Sequence, residues 1–190
     1  CAWHLFNYFR GPRSEELAVV RQFAERMPVF GFAEMGLEYH EAASPEIVSN
    51  AHQMIDAGLD VLFANNPHWV QNTEAYKNKL IVYSLGNFIF DQLDTETNRG
   101  ASIDTTLTIA YDATVAKWLE LGPSCTKFHD ECLAEANRQG LQKVPFKLTY
   151  AVVASQGGAG KVTHKADAAT QAAVEARMNW PDTLKALGQQ

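Results

Sequence analysis

Apolar and polar residues alternate in blocks along the first half of the chain, and these blocks predict helices and strands in turn. Residues 14–26 have apolar side chains at helical spacing, and Ser14 is suited to the N-cap. A second helix is predicted to begin at Ser44 and Pro45 and to end at Gly58. Short apolar runs predict buried strands at 29–33, 60–64 and 79–84.

The pattern changes after residue 100. Residues 103–111 alternate threonine with apolar side chains, and 118–121 and 146–154 are also strand-like, which predicts antiparallel strands that finish a sheet. Residues 166–178 predict an alanine-rich helix, followed by a surface tail. Helices alternating with strands and then further strands indicate an α/β fold.

Length and charge limit the possible classes of protein. A chain of 190 residues predicts a single domain over 1–190, with an α/β core at 14–92 and C-terminal strands and a helix at 100–190. The net charge is −6 and the basic residues are scattered, so nucleic acid is not expected as a partner. No apolar run approaches the roughly 20 residues of a membrane span. We therefore expect membrane contact only through parts absent from this chain.

The chain has three cysteines, at positions 1, 125 and 132. Cys125 and Cys132 lie in one polar segment, and in an exported protein they would form a disulfide. The alternative is two free thiols about two helical turns apart. Cys1 opens the chain without a methionine, which predicts a fragment end or, alternatively, the lipidated first residue of a lipoprotein. With His129 as the one nearby histidine, a zinc site is not expected here.

Polar side chains follow each of the three predicted buried strands. Ligands of α/β sheets bind beyond the carboxyl ends of the strands. Carboxylate, amide oxygen and imidazole together can bind a hard or borderline metal ion, although each alone is more often a solvated surface group. The candidates are Glu34, Glu38, Tyr39 and His40 in the first loop, Asn65, Asn66 and His68 in the second, and Ser84, Asn87 and Asp91 in the third.

A glycine run at 156–161 is similar to a phosphate-binding loop. That motif requires glycine at position 155 and serine or threonine at position 162, whereas this chain has Ser155 and Val162. We therefore expect a flexible glycine turn.

The segment 36–92 resembles a bacterial capsule-synthesis family linked to poly-γ-glutamate production. The phrases YSLGNFIFD at 83–91 and DAGLD at 56–60 carry the resemblance most specifically. That family is similar to calcineurin-like metallophosphatases, so the resemblance implies a four-layer αββα sandwich. It also implies an extracytoplasmic, cell-surface or membrane-associated protein whose partners are an anionic surface polymer or capsule synthase subunits.

Metallophosphatases commonly bind two metal ions, and this chain departs from their ligand pattern. Where the family has histidines, the sequence has Glu34 and Asn66, while His68 is retained. The early Asp, His and Asn ligands have no match before Glu34, so the sandwich is expected to be incomplete at its N-terminal side. The predicted ligands of a divalent metal (Mn, Mg, Zn or Fe) are therefore Glu34, Asn66 and His68, with selectivity moved from Zn or Fe toward harder ions. The alternative is that the metal is lost.

The resemblance assigns catalytic roles to Glu38 and His68 and substrate contacts to Tyr39 and Asn87. Glu38 would act as a general acid/base or contact substrate, or it would only hydrogen-bond loop backbone. Three functions follow as hypotheses: a capsule or poly-γ-glutamate biosynthesis protein with metal-dependent hydrolase activity, a non-catalytic relative that binds polymer or synthase, and an exported phosphodiesterase.

Overall fold

A computed structural model describes residues 1–6, 10–92, 94–127, 129–158 and 162–189. The strands are β1 (Ala2–Phe6), β2 (Val29–Glu34), β3 (Val61–Asn65), β4 (Thr73–Tyr76), β5 (Lys79–Val82), β6 (Arg99–Ile109), β7 (Phe146–Gly158) and β8 (Val162–Lys165). The helices are α1 (Ser14–Ala24), α2 (Pro45–Asp56), α3 (Ala113–Lys127), α4 (His129–Arg138), α5 (Ala168–Met178) and α6 (Trp180–Ala186).

The described strands form two sheets. The first has the order β1-β2-β3-β5-β4, with β4 antiparallel to β5 and the other neighbours parallel. Its central strands are apolar on both faces because both faces are covered. One face packs against α1 and α2 through Val20, Met54 and Leu62. The other packs against the sheet β6-β7-β8, where Phe63 and Ala154 share one core. The predicted α/β fold is confirmed.

The outer face of the three-stranded sheet is open to solvent. Asp104, Thr106 and Thr108 of β6 are exposed on it, whereas Ile103 and Leu107 alternate with them and are partly buried. The described elements therefore form three layers, and the four-layer sandwich stays a prediction. In the described part of the chain, no helix is both long and apolar enough to cross a bilayer.

Gln171 of α5 and Gln189, which follows α6, cover one edge of β7. Gln171 accepts a hydrogen bond from the Ala154 amide at 2.8 Å and donates to the Val152 carbonyl at 3.1 Å. Gln189 accepts from the Tyr150 amide and donates to the Leu148 carbonyl, both at 3.1 Å. Each glutamine amide thus satisfies one N–H and one C=O, as a neighbouring strand would.

The predicted helix starts are only partly correct. Ser44 caps α2, because its Oγ accepts from the Ile47 amide at 3.4 Å and Pro45 is the first helical residue. Ser14, however, lies inside α1, and Arg13 is the N-cap. The Glu16 carboxylate accepts a hydrogen bond from the Arg13 amide at 2.8 Å. A carboxylate three residues after the N-cap therefore satisfies a backbone N–H at the start of the helix.

Two predictions for the second half are wrong. Residues 118–121, predicted as a strand, lie within α3. Asp112 accepts hydrogen bonds from the amides of Thr114 and Val115 at 2.8 Å and so starts the helix. The predicted C-terminal tail contains α6, because Trp180 and Thr183 are buried against the sheet. Strands β1 and β4 were not predicted.

The predicted disulfide is confirmed, since Cys125 of α3 is bonded to Cys132 of α4. It closes a helical hairpin whose apolar face holds Leu121, Ala136 and Leu141. The glycine run lies in a β-hairpin, because Gly158 of β7 pairs with Val162 of the antiparallel strand β8. The expected turn itself, at 159–161, lies outside the described residues.

Candidate functional site at the carboxyl edge of the sheet

The loops that follow β2 and β3 lie side by side. The two strands are parallel neighbours, and Glu34 is in register with Asn65. The Met35 amide donates to the Asn65 carbonyl at 2.9 Å, and the Tyr39 amide donates to the Pro67 carbonyl at 2.8 Å. The structure therefore brings Glu34, Asn66 and His68 to adjoining loops at one edge of the sheet.

The backbone of these loops adopts uncommon conformations. Tyr39, Asn66 and His68 have φ values of 61°, 111° and 62°. Asparagine and histidine tolerate positive φ better than most residues, whereas such an angle is costly for Tyr. The Asn66 Nδ2 group donates to the Gly36 carbonyl at 2.7 Å, which ties the second loop to the first. Asn66 therefore has a structural role besides any part in binding.

Hydrogen bonds determine which nitrogen of His68 carries the proton. Asn87 Nδ2 donates to the Thr97 carbonyl at 3.0 Å, so Asn87 Oδ1 faces His68. That oxygen lies 2.8 Å from His68 Nδ1 and can only accept, so Nδ1 bears the hydrogen. The Nε2 lone pair of neutral His68 is then left for a metal ion or a proton.

Aromatic rings hold the His68 imidazole on two sides. The Tyr39 ring is stacked on it with centroids 5.4 Å apart, and the Phe90 ring is tilted at 4.9 Å. Gln92 Nε2 donates to the Tyr39 hydroxyl at 2.8 Å. Leu37, Phe88 and Ile89 are exposed in the same loops, so an apolar surface adjoins the candidate site.

A turn that follows the third loop supplies the carbonyl group to which Asn87 donates its hydrogen bond. Asp94 accepts from the amides of Glu96 and Thr97 at 3.2 and 3.1 Å and from the Thr97 hydroxyl, and these bonds hold the pKa of Asp94 below its usual range. Glu96 in turn pairs with Arg177 of α5 at 3.0 Å. Thr97 is 1% exposed, so the carbonyl that receives Asn87 belongs to a buried residue.

The two candidate carboxylates differ in environment. Glu34 is half-buried and Glu38 is exposed. Among the described residues neither side chain makes a hydrogen bond or an ion pair. In that same part of the chain, no three His, Cys, Asp or Glu side chains are grouped as a metal site. The predicted ligand set thus depends on the amide oxygen of Asn66 as its third member.

The same segment that builds these loops has known relatives. Residues 18–92 match the family model described as bacterial capsule synthesis protein PGA_cap. Residues 18–92 are therefore similar to this family. Over 68 residues the chain is 43% identical to the capsule biosynthesis protein CapA of Bacillus anthracis, covering 36% of this chain and 16% of the relative. It is 38% identical over 68 residues to the PGA biosynthesis protein CapA of Bacillus subtilis, covering 36% and 18%.

The matches span less than a fifth of the length of either relative. Within the matched residues 18–92, the glycine of YSLGNFIFD has a clear structural reason. Gly86 has φ 71°, and a Cβ there would lie 2.7 Å from the Arg99 carbonyl oxygen. The residue that follows this positive-φ glycine is Asn87, which lies beside His68.

Sequence reasoning missed the support of His68 by Asn87 and Thr97. It assigned Asn87 a substrate contact, but both polar atoms of its amide are engaged within the protein. The substrate contact of Tyr39 remains a prediction.

Proposed function

We propose that this chain is part of a capsule or poly-γ-glutamate biosynthesis protein whose metallophosphatase-like site binds one divalent metal ion. The relatives' names support the biosynthetic role. The observation that carries the site is the hydrogen-bonded sequence His68–Asn87–Thr97, which leaves His68 Nε2 as a ligand. The disulfide supports an extracytoplasmic location.

The donor set fits a single hard cation better than a pair of metal ions. Glu34 offers a carboxylate, Asn66 an amide oxygen and His68 an imidazole nitrogen, from adjoining loops. A binuclear site of the metallophosphatase type needs a bridging carboxylate and further ligands, which the described residues do not group here. Two oxygen donors and one nitrogen favour Mn²⁺ or Mg²⁺ over Zn²⁺.

A bound divalent ion would polarise a substrate oxygen and lower the pKa of water at the site. The residues of the protein would hold the His68 ring in position and would transfer protons. Asn87 keeps the His68 ring in one tautomer, and Tyr39 and Phe90 restrict its rotation. Glu38, exposed at the rim, would exchange a proton with the substrate or its leaving group. The four-layer sandwich belongs to this proposal as its expected complete fold.

A second candidate function is binding without catalysis, to an anionic surface polymer or to capsule synthase subunits. The observation that favours it is the reduced ligand set, in which one imidazole and one carboxylate remain. The exposed apolar side chains beside His68 would serve as the contact surface.

The test is titration of the 190-residue chain with Mn²⁺, followed by electron paramagnetic resonance and calorimetry. One equivalent bound, and lost in His68→Ala but not in His164→Ala, is the expected result. His164 is an exposed histidine of β8 and so a matched control. Absence of Mn²⁺ binding would contradict the metal site and leave the binding function.

Catalysis is tested separately with Glu38→Ala against poly-γ-glutamate and phosphoester substrates. A hydrolase predicts that turnover is lost while polymer binding is retained. If the unaltered chain binds polymer but shows no turnover with Mn²⁺ bound, the hydrolase hypothesis is refuted.

A further inference from the structure

A buried glutamine joins the three loops of the candidate site. Gln71 Nε2 donates a hydrogen bond to the His40 carbonyl of the first loop at 2.9 Å, across 31 residues of sequence. The Gln71 backbone amide donates to the carbonyl of Ser84, in the third loop, at 3.2 Å. Gln71 itself lies three residues after His68 of the second loop. One residue thus connects all three loops.

The surroundings of Gln71 leave its side-chain amide one orientation. The residue is 1% exposed. The His40 carbonyl can only accept, so Nε2 and not Oε1 faces it. Among the described residues, Oε1 has no hydrogen-bond partner. A buried acceptor without a partner lowers stability, so stability alone does not explain a glutamine at this position.

The loop that Gln71 holds contains a strained residue. Tyr39 has a φ of 61°, which persists only where the surrounding structure fixes it. The Tyr39 amide donates to the Pro67 carbonyl at 2.8 Å, and Asn66 Nδ2 donates to the Gly36 carbonyl at 2.7 Å. The bond from Gln71 acts on the residue after Tyr39. Hydrogen bonds therefore hold the loop on both sides of Tyr39.

We propose that Gln71 is a positioning residue that holds Glu38 and Tyr39 beside His68. This rests on the proposed function, in which Glu38 exchanges a proton and the Tyr39 ring restricts rotation of His68. Without the bond from Gln71, Tyr39 can return to a negative φ. That change turns its ring away from His68 and moves the neighbouring Glu38. Gln71 acts through the loop and not by contact with the substrate.

Hydrogen exchange in Gln71→Met tests the contact, because methionine is an unbranched side chain of similar length without the donor. Exchange at the Tyr39 amide should become at least about tenfold faster. The amides of β3 should keep their rates, since the substitution also removes the unpartnered Oε1 and changes the free energy of unfolding little. Gln53→Met is the matched control and should change neither rate, because exposed Gln53 also donates to a backbone carbonyl, that of Ser49 at 3.3 Å.

The His68 ring supplies a signature that a purely structural role would not change. The stacked Tyr39 ring shifts the NMR resonance of the His68 Cε1 proton, and Tyr39→Ala gives the position of that resonance without the ring. In Gln71→Met the resonance should move toward the Tyr39→Ala position. The Nδ1–H tautomer should be kept, because Asn87 is unchanged.

Mn²⁺ binding and turnover of poly-γ-glutamate separate this proposal from the proposed function. Gln71→Met should bind Mn²⁺ as tightly as the unaltered chain and should turn over the polymer more slowly. If the unaltered chain binds no Mn²⁺ or shows no turnover, the proposed function fails, while hydrogen exchange and the His68 resonance still decide the role of Gln71. Loss of Mn²⁺ binding in Gln71→Met alone overturns the positioning role, and so does unchanged turnover with a loosened loop.

The structural arm has its own opposing outcomes. The proposal is overturned if the Tyr39 amide exchanges no faster in Gln71→Met or if the His68 resonance keeps its position. Equal acceleration at Tyr39 and throughout β3 also overturns it, because Gln71 then supports the fold as a whole. If Gln71→Met does not fold, the unaltered chain decides: one Nε2 hydrogen of Gln71 must be protected from exchange, and rapid exchange of both overturns the bond to His40.

Discussion

Replacement of Asn87 by alanine should destabilise the protein and release His68. The substitution removes the acceptor for His68 Nδ1 at 2.8 Å and the donor to the Thr97 carbonyl at 3.0 Å. Loss of the first hydrogen bond costs about 1 kcal/mol, because His68 is only half-buried and water can replace the acceptor. Loss of the second costs about 1–3 kcal/mol, since Thr97 is buried.

The total for Asn87→Ala is about 2–4 kcal/mol, which corresponds to roughly 5–15 °C in melting temperature for a chain of this length. Urea unfolding measures the free energy, and Asn137→Ala, an exposed helical asparagine, should change it by less than about 0.5 kcal/mol. A loss below about 1 kcal/mol for Asn87→Ala would refute the assignment of both bonds.

The ¹⁵N chemical shifts of the His68 ring test the tautomer directly. The unaltered chain should show the Nδ1–H form, and Asn87→Ala should show a mixture of both neutral forms. An Nε2–H form in the unaltered chain would contradict the proposed metal ligand, whatever the stability result.

Three further predictions concern the fold. Gln171→Ala should lower the free energy of unfolding by about 1–3 kcal/mol. It should also speed hydrogen exchange at the Ala154 amide, because that amide loses its acceptor in Gln171. Replacing Cys125 and Cys132 by serine should lower the free energy of unfolding by about 2.5 kcal/mol, from the closed-loop length. The Arg10 guanidinium donates two hydrogen bonds of 2.7 Å to the Glu16 carboxylate and lowers the pKa of Glu16 to about 2. The stability from this pair is present above the ordinary pKa and should be lost as pH falls from about 4.5 toward 2. Glu16→Gln should flatten that acid slope in urea titrations.

Elements with a strong local signal were predictable. The apolar runs of β2 and β3 and the Ser44-Pro45 start of α2 each depend on residues adjacent in sequence. The order of these elements implies parallel neighbours, so the meeting of Glu34, Asn66 and His68 at one edge also followed from the sequence.

Elements were not predictable where the sequence pattern is short or fits a helix and a strand equally well. The run at 118–121 has four residues that suit a strand or one helical face, and its contacts with Leu141 favour the helix. Strand β4 depends on antiparallel pairing with β5, and α6 depends on the burial of Trp180. In each case the stabilising contacts come from outside the local sequence.

The sequence by itself indicated the α/β class, a candidate disulfide pair and the similarity of residues 18–92 to a capsule-synthesis family, because these depend on residue types and their spacing. Only the tertiary structure decided the role of Asn87 and the tautomer of His68. Hydrogen bonds link His68 to Asn87 across 19 residues, and Asn87 to Thr97 across 10. Such bonds depend on how three loops pack, and the periodicity of a single chain segment carries no information about that packing.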